Sequence, residues 1–228
     1  MSEKLIRWLT VMAMPVFLGF GMILFVIYWD APSYPEFEYG RIAPDPYGFT
    51  LEERLELADA TIHYLRRTEP SAETIYLLEE LMLPDGSGSL YNEREIEHMV
   101  DVKDLTDAIR RIWYGSVVLL IGGLGYLLAG EQRRPAGRRA VYHGGLATVI
   151  VLLVIAGLIL FGWSFFFVQF HELLFPPGTW TFRYSDSLIR LFPEQFWFDV
   201  GVIISVGTLL LGLVVTAVGN RLTKQQRT

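Results

Sequence analysis

The chain contains no cysteine. Disulfides, thiolate nucleophiles and thiolate metal sites are therefore excluded, while the redox compartment stays open. Histidine is scarce, with four copies in 228 residues: His63, His98, His143 and His171. Charged side chains supply only 19% of the chain against 52% hydrophobic. That balance is too apolar for an ordinary soluble domain and fits a small integral membrane protein. There is no internal repeat and no low-complexity tract. No G-x-S-x-G elbow is present, which argues against an acyl-enzyme on serine. No H-E-x-x-H spacing is present either, so no compact metal motif supports metal catalysis.

What is present is a set of four long apolar runs: Leu5–Tyr28, Ile112–Ala129, Leu146–Phe170 and Phe198–Val218. Each approaches or exceeds the ~20 residues a helix needs to cross a bilayer. The first is longer than a signal-peptide core and lacks an A-x-A-like site after it, so a retained anchor is expected. Gly122, Gly123 and Gly125 in the second run are small enough to let helix backbones approach.

The segments between the runs differ sharply in charge. Residues 30–111 carry 19 acidic and 8 basic side chains. Residues 130–145 are basic, through Arg133, Arg134, Arg138 and Arg139. The 171–197 segment is weakly acidic, and both tails are basic, the second through Arg221, Lys224 and Arg227. Basic flanks stay in the cytoplasm. The expected architecture is an all-α membrane protein: a four-transmembrane-helix bundle with both termini inside. The first outer loop, 30–111, forms a mainly helical extracytoplasmic cap. The acidic outer face makes nucleic-acid binding unfavourable, since phosphates want Lys and Arg.

Within the cap, the Pro/Tyr/Gly-punctuated stretch 31–48 reads as irregular chain. A helix then starts with a capping box, Thr50 at N-cap and Glu53 at N3, and Leu51, Leu55, Ala58, Ile62 and Leu65 recur at helical spacing. A second helix is expected after Pro70, through Ile75, Leu78 and Leu81. A third begins at Asn92 with Glu95 at N3. On its wheel His98, Val102, Leu105, Ile109 and Ile112 share one stripe, opposite Glu93, Glu97, Asp104 and Asp107. Glu95 and Asp101, three residues either side of His98, are near enough to hydrogen-bond it and set its tautomer. Because Lys103, Asp104, Asp107, Arg110 and Arg111 are costly to submerge, a bend or break between Val102 and Ile109, or a helix along the surface, is expected.

The 171–197 loop is dense in chemistry: histidine, carboxylates, two arginines and three prolines, interleaved with aromatics. His171 follows Trp163, Phe165, Phe166, Phe167 and Phe170 at the outer end of the third run. His98 and His171 thus face the same side of the membrane. His63, on an outer helix among Arg66 and Arg67, and His143, at the cytoplasmic start of the third run, read as structural.

Two outer histidines flanked by carboxylates admit acid-base work near neutral pH. They also admit a metal-dependent membrane hydrolase using His98, His171, Asp101 and Glu172. A non-catalytic adaptor docking a partner on its acidic outer face is a third possibility.

The segments NEREIEHMVDVKDL (Asn92–Leu105) and FHELLFPPGTWTFRYSDSLIRLFPEQFW (Phe170–Trp197), set in a four-span layout, resemble the bacterial lipoprotein intramolecular transacylases. That resemblance implies an enzyme of the bacterial cytoplasmic membrane whose partners are diacylglyceryl-modified lipoproteins and membrane lipid. It implies transfer of the sn-2 acyl chain of the S-diacylglyceryl-cysteine to the α-amino group of that cysteine, giving a lyso-form lipoprotein. The two catalytic histidines of the family match His98 and His171. Such a shift needs no cofactor and no metal. Its oxyanion needs donors, for which Lys103, Arg183 and the Trp180 indole are candidates, with Glu95 and Asp101 in support. Phe165, Phe166, Phe167 and Phe170 are candidate contacts for the acyl chains. One histidine would act as base and the other as acid; the residues alone leave open which is which.

Overall fold

The computed structural model describes residues 2–224; Arg227 of the basic tail lies outside them. Among the described residues the chain is helical with no strand beyond isolated bridges. Four helices are long and apolar enough to cross a membrane: α1 (Glu3–Ile27), α6 (Glu93–Ala129), α7 (Arg134–Phe161) and α10 (Glu194–Lys224). The described fold divides into two compact units.

The first unit holds the chain up to Leu24, Ile109–Gly162, and from Gly201 onward. Val11, Leu127, Ala136 and Ala140 form one buried cluster, and Ala13, Met14, Leu18 and Leu120 another. Glycines of α7 and α10, rather than most of those in α6, sit where helices come close. A Cβ on Gly122 or Gly125 would meet nothing, and one on Gly123 would meet only the Thr10 side chain. Between α7 and α10, a Cβ on Gly145 would lie 2.5 Å from the Thr216 backbone nitrogen, and one on Gly219 would strike the Tyr142 backbone. Without a hydrophobic drive inside lipid, such backbone-to-backbone packing is what joins helices.

The second unit comprises Phe25–Ala108 and Trp163–Val200. The stretch after α1 is not irregular throughout. It contains α2 (Tyr34–Tyr39), whose N-cap Ser33 accepts from the Glu36 N–H. Ser33 and Glu36 at capping spacing, with Pro35 in the first turn, were a readable start signal. Helix α3 (Leu51–Arg66) begins at the expected capping box. Arg66 at its end caps α1 by donating to the carbonyls of Ile27 and Trp29, and it pairs with Asp30. The helix expected after Pro70 is two single turns, α4 (Ser71–Thr74) and α5 (Tyr76–Glu79). Tight bonds from Leu78 N–H to the Ile75 carbonyl and from Leu81 N–H to the Leu78 carbonyl wind that stretch too closely to propagate an α-helix.

Two expectations about the long helices are corrected. Helix α6 runs unbroken from Glu93 to Ala129, with no break between Val102 and Ile109. Part of its charge is met in place. Lys103 Nζ donates to Asp107 Oδ2 (2.6 Å) and to the Glu69 carbonyl (3.0 Å), and Asp104 accepts from the Ser71 hydroxyl (2.7 Å). The third apolar run is not one helix to Phe170. α7 stops at Phe161, with Gly162 as its C-cap, and a separate α8 (Trp163–Leu174) carries His171 in its last turn. The loop beyond holds one short helix, α9 (Ser187–Leu191), and α10 starts at Glu194, four residues before the expected position.

Candidate active site

His98 and His171 both belong to the second unit, one from the first turns of α6 and one from the end of α8. Their rings stack with centroids 6.3 Å apart and planes 25° from parallel. Aromatic side chains wall them in. Phe175 packs on both, at 4.9 Å from His98 and 5.4 Å from His171. Phe182 lies 5.3 Å from His98, and Trp180 lies 5.0 Å from His171. Phe167 lies 4.1 Å from His171, and Phe170 lies 5.4 Å from it.

The two imidazoles are held differently. His171 Nδ1 sits 2.7 Å from the Phe167 carbonyl, one turn back on α8. A carbonyl only accepts, so Nδ1 carries the hydrogen, and the lone pair of the neutral ring is on Nε2. Burial pushes the His171 pKa below its usual value, and the Phe167 bond offsets this only in part. At neutral pH the ring is therefore an uncharged base. His98 is 7% exposed, and its buried Nδ1 has no hydrogen-bond partner among the described residues.

The carboxylates expected to orient His98 do not. Both oxygens of Glu95 are engaged elsewhere: Oε2 accepts from the Asn92 N–H (2.8 Å), closing a capping box, and Oε1 accepts from the Leu188 N–H (2.7 Å). Asp101 is half-buried and makes no bond to His98. Of the oxyanion candidates, Trp180 is at the histidines. Lys103 is fully buried, with its ammonium committed to Asp107 and the Glu69 carbonyl. Arg183 is exposed. Phe166 stacks on Phe170 at 6.0 Å, one helical turn from the histidine, and Phe165 is exposed. Phe175 and Phe182, which touch His98, were not singled out. Their signal was their place in the aromatic loop, which carries no register of its own.

The remaining histidines stand apart. His143 Nδ1 bonds the Arg139 carbonyl on α7, and His63 lies in the last turn of α3. Among the described residues no group of three or more His, Asp or Glu could hold a metal ion. Glu172, the fourth ligand of the hydrolase alternative, instead accepts from Gln169 on an exposed face.

A family model described as lipoprotein intramolecular transacylase Lit matches residues 8–197. The chain belongs to the Lit family. It is similar to the membrane-integral Lit of Bacillus cereus, solved in meso, with a TM-score of 0.80 at 22% identity, covering 99% of this chain and 97% of that one. A histidine-to-alanine variant of the same protein matches with a TM-score of 0.73 at 23% identity, covering 99% and 95%. An uncharacterized protein of Aquifex aeolicus (strain VF5) is 27% identical over 219 residues, 95% of this chain and 94% of its own length. The structural likeness establishes a Lit fold. Family membership and the four apolar helices together make the chain a multi-pass membrane protein of the lipoprotein transacylase class.

Proposed function

We propose that the chain moves the sn-2 acyl chain of an S-diacylglyceryl-cysteine onto the α-amino group of the same residue, with His171 as base and His98 as acid. The observation that carries this reading is the pair of stacked imidazoles in an aromatic enclosure, one with its Nε2 lone pair free. Nucleophile and ester already belong to one substrate, so orientation and proton handling are the whole task, and intramolecular placement lowers the barrier by several kcal/mol, of order 7–11 at best. A free α-amino group has a pKa near ~8 and is mostly protonated at neutral pH. It must lose a proton to attack.

The steps balance as follows. The protonated amine first sheds one proton to water. The neutral nitrogen attacks the ester carbonyl carbon and gives its remaining proton to His171 Nε2. That proton passes to His98, which is uncharged at rest because burial pushes its pKa down to about 4. The tetrahedral oxyanion collapses, the carbon–oxygen bond to glycerol breaks, and the leaving oxygen takes this proton from His98. An amide and a free glycerol hydroxyl result, and both rings end neutral, as they began. Two imidazoles this close in an apolar wall do not both hold charge cheaply, so they pass one proton at a time. The Trp180 N–H is the nearest candidate donor to the oxyanion, and Phe167 and Phe170 offer apolar surface to the acyl chains. The charge asymmetry of the loops supports cytoplasmic termini and a site on the extracytoplasmic face.

The test is expression in a cell that makes diacylated lipoprotein, followed by mass spectrometry of the N-terminal lipopeptide. The expected product is N-acylated and S-monoacylglycerylated. An unchanged free amine rejects the activity.

A further inference from the structure

Glu95 is a buried carboxylate, 1% exposed, and among the described residues both its oxygens are met by backbone N–H groups rather than by a cation. Burying a charge in that way is costly unless hydrogen bonds replace its water. If its task were only to cap α6, glutamine would serve, since capping boxes accept either residue. The difference lies in what the two oxygens meet. Oε2 faces the N–H of Asn92, and Oε1 faces the N–H of Leu188, from a part of the chain remote in sequence. Both partners are donors. A glutamine would turn its NH2 against one of them.

The two bonds join the parts that shape the site. Asn92 and Glu95 form the first turn of α6, and His98 follows one turn later on the same face. Leu188 lies in the first turn of α9, which is linked to Phe182, a wall of the His98 ring, through a tight turn. In that turn Asp186 Oδ2 accepts from the Arg183 N–H (2.8 Å), and the Asp186 N–H donates to the Arg183 carbonyl (3.0 Å). The far end of α9 is tied to the cap, where Tyr39 OH donates to the Leu191 carbonyl (2.6 Å).

We infer that Glu95 is a positioning residue: its carboxylate clamps the aromatic loop onto the helix that carries His98, and so sets the enclosure in which His98 meets the reacting group. This rests on the transacylase reading for its catalytic consequence, but not for the clamp itself.

The experiment compares Glu95→Gln, Glu95→Asp and Asn92→Ala in the full-length protein in detergent or lipid. Asn92→Ala removes the side-chain cap, where Asn92 Oδ1 accepts from the Glu95 N–H (3.1 Å), and leaves both carboxylate bonds in place. Four quantities are read: the thermal midpoint, kcat and KM on a diacylglyceryl lipopeptide, and the rate at which diethyl pyrocarbonate modifies His98. Glu95→Gln is expected to raise the His98 modification rate at least fivefold. It is also expected to lower kcat about 10- to 100-fold, with KM within about twofold of wild type, as for geometric misplacement. Asn92→Ala, at a comparable thermal midpoint, retains wild-type kcat and His98 protection. Glu95→Asp recovers part of the lost kcat. Unchanged His98 modification in Glu95→Gln overturns the clamp. Equal loss of kcat in Asn92→Ala at equal stability overturns the positioning role. Wild-type protein that moves no acyl chain while Glu95→Gln still exposes His98 refutes the transacylase reading and leaves the clamp standing.

Discussion

His171 donates from Nδ1 to the Phe167 carbonyl one turn back on its own helix, over 2.7 Å. The bond fixes which nitrogen is basic and aims it away from the helix backbone. It does for the ring what a carboxylate does in other histidine sites, but adds no charge to an apolar enclosure. Sequence spacing pointed to Glu95 and Asp101 as the orienting groups. The backbone fills that role for one histidine, and no side chain fills it for the other.

Replacing either histidine should abolish transfer with little loss of fold. His98→Ala removes no hydrogen bond among the described residues, and His171→Ala removes one, to a carbonyl on its own helix. A fall in kcat/KM of about 10²–10⁴-fold is expected for each, the usual worth of a general acid or base. Mass spectrometry of the lipopeptide reads the activity, and the thermal midpoint reads the fold. A fully active single variant removes that residue from the mechanism.

The acid limb of the pH–rate profile should fall below pH 6.5. Burial depresses the His171 pKa, so the base form survives at pH values where a solvated histidine is already charged. Opening the enclosure with Phe175→Ala should move the limb up towards 6.5, because water returns to the ring. The same depression bears on stability. Above the unfolded pKa both states are neutral and the full stability is present. As the pH falls through the native pKa, the unfolded chain binds the proton more readily and stability is lost.

Trp180→Phe should separate packing from hydrogen bonding. Phenylalanine keeps an aromatic face beside His171 but has no N–H. If the indole donates to the oxyanion, kcat falls about 10- to 100-fold with KM nearly unchanged, somewhat less than the full worth of a strong oxyanion donor. A wild-type kcat in steady-state assays would assign Trp180 to the wall alone.

Arg190 and Asp45 form a bidentate pair within the second unit, with Nη2 2.9 Å from Oδ2, Nε 3.4 Å from Oδ1 and the guanidinium 3.3 Å over the Phe49 ring. Burial tends to raise the Asp45 pKa, but the Arg190 bonds and charge and the backbone N–H groups hold it below the usual carboxylate range. Arg190→Met strands a buried carboxylate and should cost about 3–5 kcal/mol by denaturant titration. The contribution of the pair is full above the unfolded carboxylate pKa and is lost as the pH drops through the native one.

Glu38 should behave oppositely. Burial, then the neighbouring Asp199, push its pKa up to about 7; Tyr34 donates to it, and Arg41 opposes the shift. The protonated form is the native one, so stability from this group is present below the unfolded pKa of ~4.3 and is lost as the pH rises through about 7. Glu38→Gln should flatten the pH dependence of the thermal midpoint between pH 5 and 8, and an unchanged slope would contradict this account.

Much of the architecture was legible because its signals are local. The apolar runs, the Thr50–Glu53 box and the Asn92–Glu95 box each lie within a few residues, and each marks a real element. The errors were also local signals read without their partners. Charges at Lys103 and Asp107 suggested a break in α6, yet they neutralise each other one turn apart. An apolar run hid the stop at Gly162, because hydropathy does not register where one helix ends and the next begins.

Composition and spacing alone determined that the chain is helical and crosses a membrane on four apolar stretches, and they singled out two of its four histidines. These follow from transfer free energies and periodicities that each residue carries wherever it sits. Only the tertiary structure decided that the two rings meet at 6.3 Å, that Glu95 holds Leu188 rather than His98, and that Lys103 is spent on Asp107. Those outcomes depend on which donor reaches which acceptor first across distant parts of the chain, and no local pattern encodes that competition.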